Sequence, residues 1–252
     1  MRVEVHVLRY GDDWIIPYVV RHYLSFAQKL VFHDAGGGRS LELEATDPRV
    51  TVLPWDCPQV DELRYMEIRN NCWKGSDADW VVMADLDEFI YFPEGADKSV
   101  GAYTQMGAAV IRPHGFEMFS ETYPTNEGQI YDEIKEGSPD DKWYAKPILF
   151  SPKLVSEARL GMGCHESDPV LHDERRFHVG PKWPFAKPPC YLLHFHVGIG
   201  PIEVVAAKFD GTHARMCEAN LKHHWGNLED GLKHATDKRN GMREAGIRQI
   251  IP

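Results

Sequence analysis

Three carboxylates, Asp85, Asp87 and Glu88, follow directly on the apolar run Trp80-Val81-Val82-Met83-Ala84, with only Leu86 between them. The run has no polar alternation, as expected of a strand covered on both faces in a parallel or mixed sheet. In open α/β sheets ligands sit beyond the carboxyl ends of such strands, which is where the three acids fall. A period of two would turn Asp85 and Asp87 to the same side. Two hard oxygen ligands so placed suit Mg²⁺ or Mn²⁺ and leave the other octahedral positions for water and phosphate oxygens. Acidic runs also occur on solvated loops and at helix N-termini, where they favour the positive end of the dipole. The β-rich flank Phe89-Ile90-Tyr91-Phe92 favours the strand end over either.

Histidine is the other ligand-bearing type. Most of the 13 histidines lie at or after position 165, and His194 and His196 would share one face of a strand expected over Cys190 to Val197. Same-face residues stand roughly 6–7 Å apart along a regular strand, too far for one ion with metal–nitrogen bonds of about 2 Å to hold both. One of the two is therefore expected to bind an ion; the alternative is that both are hydrogen-bonded core residues. Trp143 and Trp183 offer flat faces that stack on a sugar or fill core.

The elements that must position these groups alternate along the first third of the chain. Val3 to Leu8 reads as a strand, Gly11-Asp12-Asp13 as a turn and N-cap, and Trp14 to about Phe26 as a helix with Pro17 in its first turn. Lys29 to His33 is a second strand, ended by Asp34 and followed by Gly36-Gly37-Gly38, which either lets backbone approach a ligand or makes a surface turn. Val50 to Pro54 is a third strand. A helix over Val60 to Trp73 would turn Leu63, Met66, Ile68 and Trp73 to the core, and Trp80 to Ala84 is the fourth strand. Such βαβ units feed a parallel sheet, and right-handed crossovers bring the ends of strands one and four to the same edge.

Beyond Phe92 the spacing predicts a helix near Ser99 to Met106, a strand over Ala109 to Arg112, and a polar segment, Glu121 to Lys142, expected as a mobile loop closing as a lid. Strand character resumes over Trp143 to Phe150. A loop rich in glycine, histidine and acids spans Gly161 to Asp173, and a helix from Pro201 to His224 is interrupted at Gly211. The chain reads as one domain over residues 1–225, with halves 1–92 and 93–225, followed by a polar, partly packed tail over 226–252.

Composition narrows the classes. The chain has 252 residues, 43% hydrophobic and 26% charged, as in a soluble globular protein with a sizeable core. A net charge of −10 argues against a general nucleic-acid binder, which needs a basic footprint. Five cysteines without a C-x-x-C pair indicate neither a disulfide framework nor a zinc ribbon, and point to a reducing compartment. With no apolar stretch of about 18 residues and no long apolar run after Met1-Arg2-Val3-Glu4, a cytoplasmic location is expected, with membrane contact at most peripheral.

Residues Arg69-Asn70 and the run to Asp85-Leu86-Asp87-Glu88-Phe89 resemble the Arg-Asn helix and the Asp-x-Asp-Glu-Phe strand of GT-A fold glycosyltransferases, in particular family-2-like enzymes. Upstream, Tyr10 to Tyr18 is similar to that family's opening strand-to-helix turn, and Phe32-His33-Asp34-Ala35-Gly36 to its second-strand aspartate and small-residue loop. Downstream, Lys146 to Phe150 and Leu193-His194-Phe195 resemble later segments of the Asp-Glu-Phe subgroup. The resemblance covers residues 2 to 92 well and the remainder in patches.

It implies a Rossmann-like mixed sheet flanked by helices, with residues 1–92 as the nucleotide-binding half, 93–225 as the acceptor half and a C-terminal helical segment. It also implies a Mn²⁺- or Mg²⁺-dependent hexosyltransferase taking a UDP- or GDP-type sugar donor and a saccharide or other hydroxyl acceptor, in the manner of polysaccharide biosynthesis. Tyr10 and Asp34 are then nucleobase and ribose contacts, Arg69 and Asn70 support the nucleotide pocket, Asp85 is a ribose contact and metal ligand, and Asp87 and His194 are metal ligands, with His196 left for acceptor or phosphate. Two departures stand out. The Glu-Asp pair that supplies the base in many family-2 enzymes is not evident, and Gly198-Ile199-Gly200 stands where the subgroup often has lysine and serine. Glu166 and Asp168, in Cys164-His165-Glu166-Ser167-Asp168, become the candidates for the base, because an inverting transfer needs a carboxylate poised to take the acceptor's proton. The competing functions are a metal-dependent phosphoester hydrolase and a nucleotide-sugar-binding protein without catalysis.

Overall fold

The first strand-turn-helix signals become β1 (Val3–Arg9), a 3-10 turn (Asp13–Ile15) and α1 (Ile16–Leu24), with Pro17 in the first turn, where its missing N–H leaves no bond unmade. Then come β2 (Lys29–Asp34), β3 (Val50–Pro54), α2 (Glu62–Asn71) and β4 (Trp80–Asp85). This is a computed structural model, describing residues 1–36, 47–55, 60–125, 127–176, 185–213 and 230–252, with backbone alone for 211–213. Gly37, Gly38, Trp183 and the chain from 214 to 229 lie outside the described residues.

The remaining elements are β5 (Glu88–Tyr91), α3 (Ala96–Gln105), β6 (Val110–Ile111), β7 (His114–Met118), α4 (Ile130–Glu133), β8 (Glu136–Pro139), α5 (Asp141–Tyr144), β9 (Leu149–Phe150), β10 (Val155–Glu157), β11 (Val170–Leu171), β12 (Tyr191–His194), α6 (Ile202–His213), α7 (Gly231–Ala245) and β13 (Arg248–Gln249). One sheet has the order β3-β2-β1-β4-β9-β6, its first four strands parallel and β9 antiparallel to both of its neighbours; a second has the order β13-β8-β7-β12-β5. The protein is thus a mixed α/β fold with mixed sheets. Leu30 and Phe32 of β2 and Trp80 to Ala84 of β4 are buried, as apolar runs covered on both faces require, and β1 buries Glu4 and His6 along with its valines. Among the described residues no helix is long and apolar enough to cross a membrane.

Several expectations are corrected. Helix α2 buries Tyr65 and Arg69, with Trp73 four residues further on, while Leu63 is 46% exposed. The stripe at four-residue spacing, Tyr65, Arg69 and Trp73, carries a guanidinium whose charge is met by Glu62 and Asp85, so hydrophobicity alone misassigned the face. The segment Glu121 to Lys142 is built of α4, β8 and α5, because Ile130 and Ile134 are buried, Gln129 and Asp132 form a capping box, and Asp140 accepts from the Trp143 N–H at 3.2 Å. Trp143 and Tyr144 close α5, leaving only Leu149–Phe150 as strand.

Gly211 lies within α6 without ending it. The expected tail folds as α7, N-capped by Asp230 and docked on α6. A Cβ at Gly231 would stand 2.4 Å from the Ala206 carbonyl oxygen, so the close approach of the two helices requires glycine there. Arg239 of α7 is buried and donates to the carbonyls of Val197 and Gly200, fixing the chain that follows β12.

Candidate functional site

Strand β4 ends at Asp85, and Leu86-Asp87 turns the chain into β5, so a period of two does not carry across to Asp87. β5 pairs antiparallel with β12, with Glu88 opposite His194, and the Phe195 N–H donates to the Asp87 carbonyl at 2.8 Å, tying that turn to the end of β12. β12 itself stops at His194, which removes the reason for expecting His196 to stand a full strand step away. Asp87, His194 and His196 each bring a ligand atom within 4.8 Å of the others. The expectation that a single histidine would reach an ion assumed a regular strand to Val197.

His194 is held from both sides. Its Nδ1 lies 2.7 Å from Glu117 Oε2 on β7, its Nε2 faces Asp87 Oδ2 at 3.6 Å, and the Tyr144 ring stacks on it at 4.1 Å. A carboxylate on one ring nitrogen fixes the tautomer and presents the other nitrogen's lone pair, as in carboxylate–histidine–metal arrangements. Burial alone would lower the His194 pKa, but Glu117 and Asp87 more than reverse this and raise it, which marks a pocket that attracts a cation. Burial, with Lys208 nearby, drives His196 well below the ordinary histidine value, so its imidazole is neutral and has a lone pair to give.

Asp85 is engaged elsewhere. Its Oδ1 accepts from Arg69 at 2.6 Å, Lys146 Nζ stands 3.9 Å from its Oδ2, and Arg69 is also 3.0 Å from Glu62. Burial opposes its ionisation, but Arg69 and Lys146 hold the carboxyl well below the usual range. Asp85 is not one of the three clustered ligands. Glu88, 1% exposed, accepts the Asp85 N–H at 3.0 Å and pairs with Lys146 at 2.5 Å, so it braces the turn from behind. Lys146, buried and raised in pKa by Glu88 and Asp85 against the pull of burial, is a fixed positive charge at the strand end.

The other expected residues fall as follows. Asp34, at the carboxyl end of β2, accepts from Arg9 at 2.5 Å and from the Gly36 N–H at 2.9 Å, and Tyr10 follows β1 on the same edge. The Gly11 N–H donates to the Gly36 carbonyl and the Trp55 N–H to that of Asp34, knitting the ends of β1, β2 and β3 together. Asn70 grips the backbone of Leu160 in both directions, accepting its N–H at 2.8 Å and donating to its carbonyl at 2.9 Å.

Leu160 leads into the loop expected to carry the base, yet that loop reaches the cavity beside Asp85 through Gly163 and His165. Glu166 is exposed, Asp168 pairs with Arg159 at 3.5 Å, and neither lines that cavity. The cavity measures about 360 Å³, and Trp143, Tyr144, Lys146, His194, His196 and Phe209 contribute to its wall. Sequence reasoning missed Glu117, Tyr144 and Lys146 as partners of the acids and histidines; Lys146 alone had a local signal, in the stretch up to Phe150.

No protein-family model and no curated protein matches the chain.

Proposed function

We propose that this protein is a metal-dependent glycosyltransferase with a GT-A type fold, moving a hexosyl group from a UDP- or GDP-type sugar donor to a saccharide or other hydroxyl acceptor. The observation that carries the reading is the Asp87, His194 and His196 cluster, which opens, through its two histidines, on a cavity at the end of β4. That cavity takes in Asp85 at the carboxyl end of β4, the strand next to β1, and the carboxyl ends of such strands are where ligands of open α/β sheets bind.

The donor set fits the metal that the resemblance implies. One carboxylate and two imidazoles, one of them oriented by Glu117, suit Mn²⁺ better than Mg²⁺, which prefers oxygen ligands throughout. When bound there, such an ion would act as a Lewis acid on the departing diphosphate. The chain's own groups do the rest. Lys146 and Arg69 hold Asp85 ionised and fixed, so that it can accept from a ribose hydroxyl. Trp143, 44% exposed on the cavity wall, offers a face on which an acceptor sugar can stack. Glu166 and Asp168 do not support the role of base in this arrangement, whereas His165, held by the Trp143 carbonyl at 2.8 Å, is the group of that loop facing the cavity.

A thermal-shift panel of UDP- and GDP-sugars with and without Mn²⁺ tests this, because a ligand bound only by the folded chain raises the melting temperature by mass action. The expected outcome is a shift for one nucleotide class that needs Mn²⁺, followed by transfer to a glycan acceptor. No shift with any donor, together with hydrolysis of simple phosphoesters, would replace the reading with the hydrolase.

A further inference from the structure

A second cluster of ligand-type side chains lies away from the cavity, on the sheet face beneath the end of α2. Glu4 and His6 of β1 and Lys29 and His33 of β2 share that face, by the two-residue period and the register that sets Glu4 opposite Lys29 and His6 opposite Val31. Cys72, the C-cap residue of α2, sits over them. One nitrogen from each histidine and the Cys72 sulfur lie within 4.8 Å of one another.

Three buried polar groups, Glu4, His6 and His33, on a face that is otherwise core need a reason, since buried polar groups are costly unless satisfied. The His6 Nδ1 and His33 Nε2 atoms are 3.0 Å apart, and the two rings stack at 5.3 Å. The other nitrogen of His6 faces Glu4 Oε1 at 3.1 Å, and Glu4 is held in turn by Lys29 at 2.8 Å and by the Ser76 hydroxyl at 2.5 Å. A hydrogen bond between two imidazoles would explain the first distance but leaves no role for the thiol. A tetrahedral ion would explain all three: bonds of about 2.0 Å to nitrogen and about 2.3 Å to sulfur set the nitrogens roughly 3.3 Å apart. Glu4, placed beside Nε2, would favour the tautomer that bares Nδ1. Burial also keeps His33 neutral, with its pKa pushed down to about 4.

We propose that His6 Nδ1, His33 Nε2 and Cys72 Sγ form a Zn²⁺ site, with Glu4 as the positioning carboxylate and the fourth position filled by water from the partly exposed Cys72 side. Binding displaces the Cys72 proton, which burial otherwise holds on the sulfur. The ion would fasten the end of α2 to β1 and β2, and so steady the helix that carries Arg69 and Asn70.

Cobalt is the probe, because Co²⁺ takes zinc's place and a cobalt–thiolate bond gives a charge-transfer absorption that the Asp87 centre, without sulfur, cannot give. The intact chain should show the band at one equivalent and Asp87→Ala should keep it. Cys72→Ser should lose it, and Glu4→Gln should weaken Co²⁺ and Zn²⁺ binding by roughly 10- to 100-fold. In the unaltered protein, Zn²⁺ should slow alkylation of Cys72, read by peptide mass spectrometry, by roughly an order of magnitude, because a coordinated sulfur is a poor nucleophile. That measurement decides the matter even if the variants fail to fold. No thiolate band in the intact chain, a band that survives Cys72→Ser, or alkylation at one rate with and without Zn²⁺ would each overturn the site.

Discussion

Glu117 decides how His194 presents itself. At 2.7 Å from Nδ1 it holds the ring so that Nε2 faces Asp87, and removing its charge leaves the imidazole free to turn or change tautomer. Glu117→Gln should therefore raise the Mn²⁺ concentration needed for nucleotide binding by roughly 10- to 100-fold at unchanged secondary structure. A metal titration followed by circular dichroism on the same sample checks it.

His22 gives a pH effect with a definite sign. It is buried, with Nε2 3.0 Å from the Ile90 carbonyl oxygen, and burial pushes its pKa down to about 3 from 6.5. Between those values the unfolded chain binds a proton that the folded chain refuses. Stability is undiminished above pH 6.5 and falls as the pH falls through the window, with a ceiling of about 5 kcal/mol. Denaturant melts of His22→Gln should show a flatter pH dependence across this window, and an unaltered slope would remove His22 as its source. At this scale the acids and His194 were legible because residue type and a short local pattern mark them. Glu117 was not, because only the parallel pairing of β7 with β12 brings it to His194 across a long separation in sequence.

Among the elements, α2 and the loop after Leu160 act as a pair through Asn70. Asn70→Ala leaves the Leu160 N–H and carbonyl without their partner, which should cost about 1–3 kcal/mol in denaturant melts and loosen the loop that carries His165 to the cavity. Exchange of the loop amides should quicken more than that of β1. The segment from Glu121 to Lys142 carries the opposite expectation from the one its polarity suggests. β8 is paired with both β7 and β13, so its hydrogen-bonded amides should exchange slowly without any ligand; fast exchange there would restore a lid.

The parallel strands were readable because β4 is one apolar run and β1, β2 and β3 are short apolar-rich segments bounded by turn residues. The strand expected over Trp143 to Phe150 was not formed in full, since Asp140 caps a helical turn that takes Trp143 and Tyr144, and Pro147 cannot donate to a ladder. The strand expected to reach Val197 stops at His194 because the chain turns just beyond it, with the Ile199 N–H donating to the His196 carbonyl at 3.2 Å.

In the whole molecule, β4 belongs to the first sheet and β5 to the second, and the turn through Asp87 joins them. The candidate centre thus sits where two sheets with different neighbours meet, and α7, read from sequence as a polar, partly packed tail, locks the chain beyond His196 through Arg239. The net charge of −10 makes a bound cation a reasonable intermediary for a diphosphate that the surface would otherwise repel. The most direct measurement is calorimetry of UDP and GDP binding with and without Mn²⁺, on the unaltered chain and on Asp87→Ala. Binding of one nucleotide that requires Mn²⁺ and is lost in a folded Asp87→Ala is the predicted result; undiminished Mn²⁺-dependent affinity in that variant, or no metal-dependent binding of either nucleotide by the unaltered chain, would contradict it.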